Sequence, residues 1–144
     1  MYRSKLEYIA LISLLVAACS SMGGHRATFD SFLAEVKSAA GAGATDCGHI
    51  ALGADRSIAN CCVAINFIRS LPFSVSFDEQ GIDSRVARGL MQDVYGSTTI
   101  FYFDSDPSGG YRQDSGIVYS RACKNPTLTQ NPCGDPVGFP LNCE

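Results

Sequence analysis

The chain has 144 residues, with 11 lysines and arginines against 14 aspartates and glutamates, and a formal net charge of −3. This length corresponds to one domain. A slightly acidic chain without a run of basic residues is unsuited to gripping the phosphates of a nucleic acid. Seven cysteines are the unusual feature. In a chain this short they indicate an oxidising compartment or a metal site, and they argue against an ordinary cytosolic enzyme.

The first 18 residues have the pattern of a secretory signal peptide. Arg3 and Lys5 give a positively charged start, and a mainly apolar run follows over 8–18. A helical run of about 11 residues covers roughly half of the ~30 Å hydrocarbon core of a bilayer. The run is therefore too short to span a membrane, and we interpret it as the hydrophobic region of a cleaved signal.

This segment ends in Val16-Ala17-Ala18-Cys19, which resembles the lipobox of bacterial lipoproteins. The resemblance covers residues 1–19 only. It implies that the Cys19 thiol takes a diacylglyceryl group, that the mature chain begins there, and that palmitate-type acyl chains anchor it in a membrane. In Gram-negative lipoproteins a residue other than Asp after the cysteine favours export, so Ser20 implies the periplasmic side of the outer membrane. The alternative is an ordinary cleaved signal with an incidental cysteine.

Six cysteines remain downstream of Cys19, in two groups of three, and they are Cys47, Cys61, Cys62, Cys123, Cys133 and Cys143. In an exported protein they predict up to three disulfides, with fifteen possible connectivities. If all six are paired, an odd number of bridges must join the two groups. Neighbouring side chains on a helix point about 100° apart, so Cys61 and Cys62 are expected to have different partners.

Two other interpretations of these cysteines are weaker. Structural zinc sites use wider, repeated spacings, whereas Cys47 and His49 lie only two residues apart. The same two residues could pair a thiol nucleophile with its base, but an oxidising compartment favours a disulfide. We therefore expect neither a metal site nor a cofactor here.

A first helix is predicted after a tether over 19–27. Thr28 is a good N-cap, and apolar residues then recur every three or four positions, at Phe29, Phe32, Leu33, Val36 and Ala40. Gly41 and Gly43 end this helix. A Gly/Ala loop that carries Cys47 and His49 is expected to follow.

A second, more buried helix is predicted from Ser57, which we expect to cap it, up to the residues before Pro72. Its predicted buried face follows the helical period and consists of Ile58, Cys61, Cys62, Ile65 and Ile68, widened by Ala59, Val63 and Phe67.

Strands are predicted after the second helix, because apolar residues then recur at every second position. Phe73, Val75 and Phe77 alternate with serines and predict a half-buried strand. Further strands are predicted over 84–95, with Gly89 as a bulge, over 98–104, and over 116–122. The predicted fold is one α+β domain over 28–144: two N-terminal helices packed on one face of a three- or four-stranded antiparallel meander. Residues 124–144 are rich in proline and predict an irregular, disulfide-stapled tail.

One loop has the pattern of a cation site. Asp104, Asp106 and Ser108 place oxygens at alternate positions before a glycine, as in the first half of a calcium loop. The second half departs from this pattern, because Ser115 stands where a bidentate carboxylate is needed. The favoured interpretation is a turn in which Asp and Ser side chains bond nearby backbone N–H groups.

No motif predicts catalysis. Asp83, Asp93 and Asp104 could supply paired carboxylates for sugar hydrolysis, but the sequence cannot show that any two converge. The apolar and aromatic residues 100–103 must point to both faces of a strand, so one face is covered by the tail or open to a partner. We expect a non-enzymatic, lipid-anchored envelope protein that contacts another envelope protein. The alternatives are an inhibitor or immunity protein directed against a lytic enzyme, and a small hydrolase that uses aspartates.

Overall fold

The computed structural model describes residues 23–109 and 115–144, so the signal segment and Cys19 lie outside the described residues. The elements in chain order are β1 (His25–Ala27), α1 (Phe29–Ala40), β2 (Thr45–Ile50), α2 (Ser57–Ile68), β3 (Phe73–Glu79), β4 (Val86–Gln92), β5 (Thr98–Asp104), β6 (Gly116–Ala122), β7 (Thr127–Leu128) and β8 (Leu141–Asn142). A short 3₁₀ turn, Pro132–Gly134, precedes β8.

The predicted fold class is wrong, because the sheet is not a three- or four-stranded antiparallel meander. Six strands form one mixed sheet in the order β1-β6-β5-β4-β3-β2, and β7 and β8 form a small second sheet. β2 runs parallel to β3, and the other neighbouring pairs are antiparallel. No pair of N-terminal helices precedes the sheet, because β1 comes before α1 and β2 separates α1 from α2.

The two missed strands of the six-stranded sheet, β1 and β2, lack a local signal. β1 has only three residues and falls in the segment assigned as a tether. β2 falls in the segment assigned as a loop, since its register shifts between Asp46 and His49 and its Gly48 has φ +94°. This irregularity breaks the alternation that identifies a strand. Its partner β3 begins more than twenty residues later, so its pairing depends on tertiary structure.

Helix α1 is as predicted. The Thr28 side chain accepts a hydrogen bond from the Ser31 N–H at 3.1 Å, and Gly41 follows the helix with φ +91°. Phe32, Val36 and Ala40 are buried against the sheet. Gly89 is not a bulge, because β4 pairs continuously with both neighbours. A Cβ at position 89 would lie 2.4 Å from a Val36 methyl group, so glycine allows α1 to approach the sheet closely.

Helix α2 has the predicted position, but it is rotated about its axis, so that Ala59, Val63 and Phe67 of the predicted face pack on the core. Ile58, Ile65 and Ile68 are 87%, 44% and 71% exposed, whereas the buried positions are Ala59, Asn60, Val63, Ala64 and Asn66. Arg56, not Ser57, precedes the helix, and it makes no side-chain cap. A helix that is apolar all round has no period that selects its inner face.

The two buried asparagines explain this orientation. Asn60 Nδ2 donates to the Asp135 and Gly138 carbonyls, each at 3.1 Å. The Asn66 side chain donates to the Cys62 carbonyl and accepts from the Thr45 hydroxyl. Turning the isoleucines inward would remove these bonds, which join α2 to the tail and to β2.

The helices lie on opposite faces of the sheet, which corrects the prediction of helices on one face. On the α1 face, Ala87, Met91, Phe101, Phe103 and Val118 pack against Phe32 and Val36 of α1. On the α2 face, Phe73, Val75, Phe77, Leu90 and Ile100 pack with Val63 of α2 and Leu141 of the tail. Strand β3 is therefore not half-buried, because its serines Ser74 and Ser76 are covered by α1.

The six downstream cysteines form three disulfides, Cys47–Cys62, Cys61–Cys133 and Cys123–Cys143. One bridge joins the two groups, and the adjacent cysteines have different partners, so both of these predictions are confirmed. The tail is less irregular than predicted, since β7 pairs with β8 and Leu141 is buried. All three bridges lie on the α2 side or hold the tail.

Candidate functional site

A hydrogen-bonded group of side chains lies on the α1 face where β2 and β3 end. The parallel register places His49 opposite Ser76, and alternation along β3 brings Asp78 to the same face. His49 Nδ1 lies 3.0 Å from Ser76 Oγ, and His49 Nε2 lies 3.5 Å from Asp78 Oδ1. Arg85 Nη2 pairs with Asp78 Oδ2 at 3.2 Å. With Phe29, these residues are called the His49 cluster below.

Phe29, the first residue of α1, joins this cluster to the surface. The Arg85 guanidinium carbon lies 3.3 Å from the Phe29 ring centroid, and the His49 ring meets Phe29 edge-on at 5.4 Å. The Arg85 side chain is 49% exposed, His49 26% and Asp78 15%. The result is a preorganised patch of arginine, aromatic and imidazole groups, the kind of patch enriched at protein contacts.

The cluster places His49 between Ser76, to which it is hydrogen-bonded, and Asp78, which lies within ion-pair distance, so its chemistry must be considered. A catalytic nucleophile has to reach a substrate atom. Ser76 is only 4% exposed and lies on β3, the strand next to the edge strand β2, on the face that α1 covers. Its hydroxyl therefore orients the imidazole, and the arrangement suits fixed recognition better than acyl transfer. Sequence reasoning missed the cluster because His49 was assigned to a loop and Ser76 to a solvent-facing position.

Asp93 and Asp104 of the predicted carboxylate set lie far apart. Asp93 follows β4 and accepts hydrogen bonds from the Tyr95 and Ser97 N–H groups. Asp104 ends β5, and the antiparallel register places it beside Val86, at the opposite end of β4 from Asp93. The seven residue steps from Val86 to Asp93 correspond to about 23 Å, well beyond the ~5–9 Å that paired glycosidase carboxylates need. Asp83 is exposed in the loop before β4.

The calcium-loop candidates form a turn in the part that is described. Asp104 Oδ1 accepts the Asp106 N–H at 2.9 Å, and Ser108 is exposed. Residues 110–114, which include the rest of the pattern, lie outside the described residues. Over 23–109 and 115–144, no three His, Cys, Asp or Glu side chains are grouped to hold a metal ion. The paired cysteines offer no thiolates to zinc either.

The α2 face carries a second notable surface on its outer strands. Tyr119 of β6 lies opposite Tyr102 of β5, and the Arg88 and Arg121 guanidinium carbons lie 5.6 Å and 5.7 Å from the Tyr102 ring centroid. Arg26 of β1 is exposed on the same face, since it pairs with the residue two before Tyr119. These five residues are called the Arg–Tyr surface. The tail covers only its inner edge, where Phe139 contacts Arg88.

The third surface is the outer side of α2. Ile58, Ile65 and Ile68 recur at helical spacing and form one exposed line, called the isoleucine stripe. The helix itself carries no charged residue, and Arg56 and Arg69 stand at its two ends. Large exposed apolar side chains grouped in this way mark a contact surface in a folded domain.

Two aspartates in segments beside these surfaces have a lowered pKa. A hydrogen bond with Lys37, at 2.7 Å, lowers the pKa of Asp46 and joins α1 to β2. The Val137 and Gly138 N–H groups lower the pKa of Asp135. Both interactions stabilise loops beside the contact surfaces and hold no group poised for proton transfer.

Comparison with protein-family models, curated proteins and solved structures finds no match to this chain. Within the described ranges, no helix is long and apolar enough to cross a membrane. The functional argument therefore depends on the three surfaces and on the cysteine pairing.

Proposed function

We propose that this chain is a lipid-anchored protein of the cell envelope, on the periplasmic side of the outer membrane, which acts by contact with another envelope protein. The observation that carries the proposal is the cysteine pairing. Six cysteines are joined in three disulfides, which leaves Cys19 as the odd cysteine, directly after the apolar run 8–18. An unpaired thiol at that position suits acylation, and the disulfides suit an oxidising compartment.

The surface we propose for the protein partner is the His49 cluster. Arg85 is half exposed yet held by Asp78 and by the Phe29 ring, so little conformational entropy is lost when a partner binds it. A partner with a carboxylate or carbonyl group could accept from the remaining guanidinium N–H groups. The buried position of Ser76 supports binding rather than hydrolysis as the role of this cluster.

Metabolic labelling with palmitate tests the anchor. The wild-type chain is expected to take up label in the envelope fraction, and Cys19→Ala is expected to lose it completely. The paired variant Cys123→Ala/Cys143→Ala is the matched control, since it removes two cysteines but keeps Cys19, and it should retain the label. Label that survives Cys19→Ala would overturn the anchor proposal.

Cross-linking in detergent-solubilised envelopes tests the contact. A partner captured by the wild-type chain should be recovered at least tenfold less with Arg85→Ala. Arg69→Ala removes an exposed arginine at the end of α2 and should leave recovery unchanged. Equal recovery with both variants would show that the His49 cluster is not the contact surface.

An inhibitor of a lytic enzyme is a second candidate, supported by acidic residues on the α1 side. Asp30 is exposed at the start of α1, Glu35 is paired with His25, and Asp46 of the neighbouring strand β2 is paired with Lys37. Acidic groups on one side could meet a basic substrate cleft. Inhibition of a purified envelope hydrolase at stoichiometric protein, lost in Asp30→Asn/Glu35→Gln, would favour this role over a structural one.

A further inference from the structure

We propose that the α2 side of the domain lies on the bilayer, with the isoleucine stripe inserted at the boundary between headgroups and acyl chains and the Arg–Tyr surface at headgroup level. This inference extends the proposed lipid anchor to a fixed orientation of the folded domain. The occupant of the two surfaces is an anionic phospholipid surface, not a protein.

The isoleucine stripe supplies the apolar contact with the bilayer. Ile58 and Ile68 are 87% and 71% exposed, and they lie ten residues apart on one helix. At a 1.5 Å rise, the stripe is about 15 Å long. A helix with an apolar face and no acidic residue fits a membrane interface, where such a face is buried to a depth of about 5–10 Å.

The stripe cannot turn into the protein interior. Cys62 is bonded to β2 and Cys61 to the tail, and Asn60 donates to two tail carbonyls. These links fix the rotation of α2 about its axis. Among the described residues no segment covers the isoleucines, so an external apolar medium is needed to bury them.

Charge favours lipid as that medium. Arg26 and Arg121 are exposed on the α2 face, and Tyr119, 39% exposed, lies between them in the sheet. Tyrosine and arginine are typical of the headgroup region, where basic residues are attracted to anionic lipid. Two acidic residues share this face, Glu79, which is paired with Arg56 and Arg88, and Asp104, which ends β5. Arg26 and Arg121 are the basic groups that we propose contact anionic lipid.

The tether has a suitable length and attachment point. Five residues from Cys19 to Gly24 span at most about 18 Å. The outer surface of a helix packed on a sheet lies about 15 Å from that sheet, one layer of about 10 Å plus a helix radius of about 5 Å. Gly24 packs against Tyr119, since a Cβ there would lie 2.5 Å from the tyrosine ring. An anchor at Cys19 can therefore reach the bilayer while the stripe contacts it.

The absence of tryptophan from the chain allows a direct test. Ile65→Trp and Ala34→Trp each introduce one tryptophan at an exposed helical position, on α2 and on α1 respectively. Each lipidated chain is reconstituted in vesicles of phosphatidylethanolamine and phosphatidylglycerol with brominated acyl chains. Trp fluorescence of the Ile65 variant should be quenched at least twofold and blue-shifted, and that of the Ala34 variant should be unchanged.

The other outcomes are informative. Equal quenching of both variants, or none, would overturn the orientation. A blue shift at position 65 without quenching would indicate a protein or second-copy contact and would also overturn it. Ile58→Trp repeats the test should the first variant fold poorly. Palmitate labelling of the same samples separates the two proposals: labelled protein without quenching contradicts the orientation alone, and unlabelled protein contradicts the anchor.

Discussion

The two helices are of equal length, yet they are held to the sheet in different ways. α1 turns Phe32 and Val36 into the core and leaves its polar side outside. α2 turns Val63, alanines and asparagines inward and leaves isoleucines outside. Fully burying a large apolar side chain stabilises a protein by about 1.5–3 kcal/mol, so α1 gains more from its packing. The disulfides lie on the α2 side, which is stabilised less by burial of apolar side chains.

This difference indicates that the disulfides keep the apolar outer face of α2 exposed, in addition to stabilising the fold. The residues packed between α1 and the sheet include no cysteine. On the other side, two bridges start from neighbouring residues of α2. A helix whose outer face is apolar would otherwise rotate or detach to bury that face, and the bridges prevent both movements.

Removing the long-range bridge should have the largest effect. Cys61–Cys133 closes a loop with a sequence separation of 72, against 15 for Cys47–Cys62. The chain-entropy relation predicts a loss of about 4 kcal/mol for Cys61→Ala/Cys133→Ala and about 3 kcal/mol for Cys47→Ala/Cys62→Ala. Urea unfolding measures both losses.

Hydrogen exchange measured on Cys61→Ala/Cys133→Ala tests whether α1 and α2 are held to the sheet in different ways. Amides of α1 should keep most of their protection, and those of α2 and the tail should lose it. Equal loss of protection in both helices would show that the two sides do not differ in how they are held.

Gly89→Ala should have an intermediate effect, because the close approach of α1 depends on this position. The added methyl group would meet Val36, and overpacking of this kind costs about 1–3 kcal/mol. Thermal unfolding measures the cost. On a Val36→Ala background the same substitution should cost less, and an unchanged cost would contradict direct contact between the two positions.

The Lys37–Asp46 pair should have a smaller, pH-dependent effect. The Lys37 ammonium lowers the pKa of Asp46 below its ordinary value of 3.8, so its contribution to stability is present above about pH 4 and is lost as the pH falls through the lowered pKa. Both side chains are about half exposed, and such pairs contribute at most about 1 kcal/mol. Lys37→Met should therefore lower the free energy of unfolding at pH 7 and leave it nearly unchanged at pH 2, whereas the control Lys124→Met should show no such trend.

Ile65→Ser should have almost no effect on the unfolding free energy in detergent-free buffer. An exposed side chain contributes within about 0.5 kcal/mol, although loss of an isoleucine from a core would cost several times more. A loss above 1 kcal/mol in urea unfolding would mean that the stripe is buried, and it would remove the basis for a bilayer contact.

The sequence predicts best where local pattern and tertiary packing agree. Thr28 and the apolar period that follows predict α1, and β-branched and aromatic content predicts β5 and β6 with the observed bounds. Prediction fails where the deciding partner is distant. The interruption at Gly48 conceals β2, and Ser76 has the appearance of a solvent-facing residue until α1 covers it.

The candidate surfaces were harder still to predict. In α2 every face is apolar, and the outcome is decided by buried bonds of Asn60 and Asn66 to chain segments elsewhere. The His49 cluster needs a parallel pairing that no local spacing encodes. The cysteines were the exception, because two groups of three, if all are paired, require at least one bridge between the groups.

Non-reducing peptide mapping by mass spectrometry, on protein isolated from the envelope, tests the central claim most directly. The account predicts three linked peptide pairs, Cys47–Cys62, Cys61–Cys133 and Cys123–Cys143, together with an N-terminal peptide that begins at an acylated Cys19. A free thiol at Cys19, or a disulfide between Cys19 and any of the other six, would contradict it.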